Sequence, residues 1–91
     1  MIEVKTTRTG DPFEFEVTVR KGKGETRHIV TMGKQTYQSL TSGKLSPEDS
    51  VEAAFRFLLD REPKESILQR FDVSVISRFF PDFREKLPDY F

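Results

Sequence analysis

Few side chains in this sequence have the type and spacing that chemistry requires. His28 is the only histidine and cysteine is absent, which argues against a nucleophile–base pair or a zinc site. No HxxxH or HxxE pattern accompanies His28, and its neighbours Ile29 and Val30 place it on a strand as a structural residue. The acid pairs Glu48/Asp49 and Asp60/Glu62 fall where helix termini and surface ladders are expected, which explains them better than general acid–base work. Gly22-Lys23-Gly24 lacks the length and the strand-to-helix context of a phosphate loop and reads as a turn. The expectation is a non-enzymatic chain with no catalytic residue, metal ligand or cofactor.

Binding chemistry is better represented. Arg20, Lys21, Lys23 and Arg27, with Lys34 nearby, form the one concentrated basic patch, and the glycines between them would let a hairpin follow a phosphate backbone. Glu25 interrupts the patch, and no aromatic at the tip offers a stacking surface. Such charges also keep sheet edges soluble. Across the chain, 15 basic and 15 acidic side chains cancel, so no global field steers it to nucleic acid or an anionic membrane. The stretch Ile67 to Phe80 imitates a helix-turn-helix, but Val75, Ile76, Phe79 and Phe80 occupy the face that would have to be polar to read bases.

These residues must be positioned by a single small domain, because 91 residues leave no room for a second core. Nine Phe and two Tyr supply its bulk. From Ile2 to Met32 apolar residues alternate, most clearly Phe13, Phe15, Val17 and Val19 against Glu14, Glu16, Thr18 and Arg20. Turn residues at Gly10-Asp11-Pro12 and Lys21 to Gly24 divide the stretch into a three-stranded antiparallel meander.

Beyond Gly33 the period becomes helical. Tyr37 and Leu40 mark a helix over Lys34 to Ser42, with Gly43 just past its end. Ser46-Pro47-Glu48-Asp49 supplies a hydroxyl cap, a proline at the first helical position and carboxylates at the positive end of the dipole. The helix it starts buries Val51, Ala54, Phe55, Leu58 and Leu59 and stops before Pro63. A further helical turn is expected at Ile67 and Leu68, and Asp72 is expected to cap a last helix running to Phe80, closed by Pro81.

The run from Val51 to Phe83, with the stretch FLLDREPKESIL followed by FD, VI and FP, resembles a family of small uncharacterised bacterial proteins. The resemblance covers roughly the last sixty residues and implies a bacterial cytoplasmic protein, without supplying an activity or a functional residue. Its breakers, caps and phenylalanines describe a fold more than a reaction.

The expected architecture is α+β: a three-stranded antiparallel β-meander over residues 1–32, packed against three to four short helices over residues 33–91. The function expected of it is interaction with another protein, or with a second copy, through an apolar and arginine-bearing surface of Phe57, Arg61, Arg70, Arg78, Phe83 and Tyr90. Phe57 points away from the main stripe of its helix, which favours cover by the last helix and tail; exposure would instead create an apolar patch with Phe83 or Tyr90 and mean a partner. Weak nucleic-acid binding by the basic hairpin is the alternative. A cytoplasmic location is expected, and no run approaches membrane-spanning length.

Overall fold

The computed structural model describes residues 1–91. Period-two alternation produces the expected meander of β1 (Ile2–Arg8), β2 (Phe13–Arg20) and β3 (Glu25–Met32). The register sets Val4 against Val17 and Val17 against His28. One face therefore carries Phe15, Val17, Val19, Val30 and Met32 into the core, and the other carries Glu3, Lys5, Glu16 and Arg27. The β2–β3 turn needs Gly22 and Gly24 because their φ angles, 73° and 74°, lie in the left-handed region.

Helix α1 (Lys34–Thr41) ends through Ser42 in the left-handed region and Gly43 beyond it. Helix α2 (Pro47–Leu59) starts where the cap predicts, with Ser46 Oγ accepting from the Asp49 amide at 3.1 Å. It is buried on two sides. Val51, Ala54, Phe55 and Leu58 form the expected stripe, while Ala53 and Phe57 fill a second interface beneath the tail. Leu59 is only half-buried.

The chain departs from expectation after Pro63. The 3-10 turn there is Lys64–Ser66, and Ile67, expected to be helical, is extended. The extended segment leads into β4 (Arg70–Asp72), which adds to β3 in parallel with Ile29 opposite Arg70 and Thr31 opposite Asp72. The sheet is thus four-stranded and mixed, in the order β1-β2-β3-β4. Three residues are too short to display a period, so the pairing is fixed by specific bonds instead. The Ile29 amide donates to the Gln69 carbonyl at 2.7 Å, and Thr31 Oγ1 donates to Asp72 Oδ1 at 2.6 Å.

Asp72 does cap the following turn, accepting from the Ser74 amide at 3.0 Å. Burial opposes its negative charge, but hydrogen bonds from Ser74 and Thr31 prevail and hold the carboxyl below its ordinary range. The helix beyond is shorter than expected, a 3-10 turn at Val73–Val75 followed by α3 (Ile76–Phe79). Then α4 (Phe83–Lys86) and a 3-10 turn at Leu87–Tyr90 fold back against α2. A core of 16 apolar residues joins the sheet, α2 and this tail. No helix is long and apolar enough to cross a membrane.

Candidate functional site

The residues expected to bind a partner do not form one surface. Phe57 and Phe83 are 0% and 1% exposed, with ring centroids 5.0 Å apart in edge-to-face contact. Phe80 and Tyr90 pack on Phe57 in the same manner. Both phenylalanines are core residues and offer nothing to a partner, because the tail closes over the second face of α2.

Arg61 and Tyr90 secure that closure. The Arg61 guanidinium lies 3.6 Å over the Phe57 ring, donates to the Phe57 carbonyl at 3.1 Å and pairs with Asp82 at 3.5 Å. Tyr90 donates to Asp60 Oδ2 at 2.6 Å and accepts from Arg61 at 3.3 Å. Arg70 and Arg78 are exposed, but they sit on different elements. Arg70 alternates with core-facing Phe71 and so shares the open sheet face with Ile29, whereas Arg78 projects from α3.

The basic patch is likewise divided. Arg20 pairs with Glu3 at 3.2 Å and Glu25 at 3.0 Å, and Arg27 also pairs with Glu25 at 3.0 Å. Lys21 and Lys23 remain at the tip without an ion pair. Lys34 does not join them, since eight residues of β3 separate it from the hairpin turn and its Nζ faces the Phe13 ring.

His28 is 2% exposed and sits against Phe55. Its Nδ1 lies 2.7 Å from the Leu68 carbonyl and its Nε2 2.9 Å from Thr26 Oγ1. A carbonyl can only accept, so Nδ1 carries a proton. The ring fastens the extended segment before β4 to the sheet, in the structural role its sequence context suggested.

What that fastening creates is an apolar groove of about 360 Å³. Leu58 contributes from α2, Ile67, Leu68 and Phe71 from β4 and the segment before it, and Val75, Ile76, Phe79 and Phe80 from α3 and its flanks. Leu68 is 50% exposed and Phe79 65% exposed, although both belong to apolar runs. Ser66 and Glu62 are the polar members. Burial pushes the Glu62 carboxyl above its ordinary range, and no cation in the chain offsets that push.

Sequence reasoning missed this groove. Apolar Leu68, Val75 and Phe79 look the same whether they fill a core or line a cleft. The available signal was the excess of apolar residues on the last helix, too many for one buried stripe on so short an element. No family model, curated protein or solved structure matches this chain.

Proposed function

We propose that this chain is a non-enzymatic protein-interaction module whose groove receives an apolar segment of a partner protein carrying one basic side chain. The observation that carries this reading is the exposure of Leu68 and Phe79 at one cleft whose lining is aliphatic and aromatic apart from Ser66 and Glu62. Large apolar side chains clustered at one cleft mark an interaction surface, whereas scattered ones do not. Glu62 supplies the polar specificity. A half-buried carboxylate with no cation of its own rewards a Lys or Arg beside the apolar anchor and penalises a carboxylate there.

The test replaces Phe79 with a photo-reactive phenylalanine analogue and irradiates living cells, with the same analogue at exposed Lys44 as control. A discrete product specific to position 79, whose linked peptide is apolar with a nearby Lys or Arg and which diminishes in Glu62→Gln, supports the reading. Equal products at both positions overturn it. Nucleic acid captured through Lys21 and Lys23, lost as salt rises, would transfer the function to the hairpin.

A further inference from the structure

The second surface of interest lies on the opposite edge of the sheet. β1 is an edge strand that pairs only with β2. Met1 and Arg20 exchange both of their backbone bonds, at 2.8 and 2.6 Å. Antiparallel alternation then directs the odd-numbered residues of β1 toward β2 and the N–H and C=O groups of Ile2, Val4 and Thr6 away from the sheet. Along this strand Glu3 and Lys5 are exposed and Ile2, Val4 and Thr6 are half-buried, and a depression of about 500 Å³ on the open face of the sheet reaches the edge at Val4 and Thr6.

We infer that β1 pairs antiparallel with β1 of a second copy about a two-fold axis at Val4, joining two four-stranded sheets into one of eight. The charges select this register. With Val4 opposite Val4, Glu3 of each copy faces Lys5 of the other, giving two reciprocal attractive pairs on the open face. Ile2 then faces Thr6 of the second copy, and the outward groups of the three even-numbered residues meet in about six backbone hydrogen bonds.

The neighbouring registers of the same parity are excluded by like charge. Centring on residue 3 opposes Glu3 to Glu3, and centring on residue 5 opposes Lys5 to Lys5. Helix α2 agrees with the same axis. Thr6 Oγ1 donates to Glu48 at 2.7 Å, while Ile2 shares a depression with Arg56 and Leu59, so α2 runs antiparallel to β1. The two-fold therefore brings Glu48 of one copy toward the Arg56 end of the other. This self-association is independent of the groove, which lies beyond β4.

Sedimentation equilibrium over a wide concentration range tests the inference with wild type, Glu3→Lys, Lys5→Glu and an equimolar mixture of the two variants. Wild type should dimerise. Each charge reversal alone should weaken the dimer about tenfold, since two attractive pairs become repulsive. The mixture should regain wild-type affinity, because one chain then presents two lysines and the other two glutamates. A merely structural effect of either substitution would not be restored by mixing. A wild type that stays monomeric, single variants that dimerise as well as wild type, or a mixture that fails to recover each overturns the pairing. So does loss of the dimer in Leu68→Asp, which would place the interface at the groove.

Discussion

Replacing Phe57 with alanine is the sharpest test of how the helical half is held together. The ring is fully buried, meets three other aromatic rings at 5.0 to 6.0 Å and carries the Arg61 guanidinium on its face. A phenylalanine ring buries about 200 Å², which at about 25 cal/mol/Å² gives ~5 kcal/mol. Alanine keeps a small part of this, and the enclosed site collapses incompletely, so the loss is about 4 kcal/mol. A chain of this length has total stability on the order of 9 kcal/mol, so the variant stays folded at room temperature with little margin. In urea, with a slope of about 1.3 kcal/mol/M, the midpoint should fall by about 3 M with the slope unchanged. Arg61→Met in both backgrounds isolates the cation–ring contact, for which a coupling of about 1 kcal/mol is expected. A midpoint shift under about 1 M would show that Phe57 is exposed and that the tail does not cover α2. Loss of partner binding in a Phe57 or Phe83 variant reports on folding.

Glu62→Gln should raise stability at neutral pH. A carboxyl whose folded pKa is raised favours the folded state below its ordinary value of 4.5 and forfeits that contribution as pH rises through the folded pKa. The gain in thermal midpoint should therefore be present at pH 7 and vanish below about pH 4. His28→Ala should cost about 2 kcal/mol in chemical denaturation, because it leaves the Leu68 carbonyl without its donor and opens space beside Phe55. Amide exchange should accelerate most from Ile67 to Asp72, and unchanged exchange there would disprove the fastening role.

The first 62 residues were largely legible because their signals are local and agree with one another. Alternation in β2, left-handed glycines in the hairpin and the Ser46-Pro47 start of α2 each fix the chain within a few residues. β4 was not legible. Its conformation is decided by partners on β3 far away in sequence, and Phe71-Asp72 looked instead like a helix start, which Asp72 also is. The candidate site was legible only as a class of surface. Apolar and arginine content pointed to the helical half, but which side of each short helix meets solvent is a tertiary outcome. Phe57 and Phe83 therefore lie in the core, while Leu68 and Phe79 are exposed.

The parallel attachment of β4 gives the molecule an unequal distribution of cooperativity. Both hairpins of the meander close over short loops, whereas the Thr31–Asp72 contact spans 41 residues, an entropic cost of about 3 kcal/mol beyond a minimal loop. Three residue pairs, two side-chain clasps and the packing of Ile67 and Phe71 on the core offset it. Its pairing depends on the meander and α2 already being in place, a long-range dependence that the hairpins do not share. The side of the groove built from Ile67, Leu68 and Phe71 thus hangs on this long-range closure. A partner segment bound there as proposed above would hold β4 in place and raise the stability of the whole chain by the free energy of its own binding.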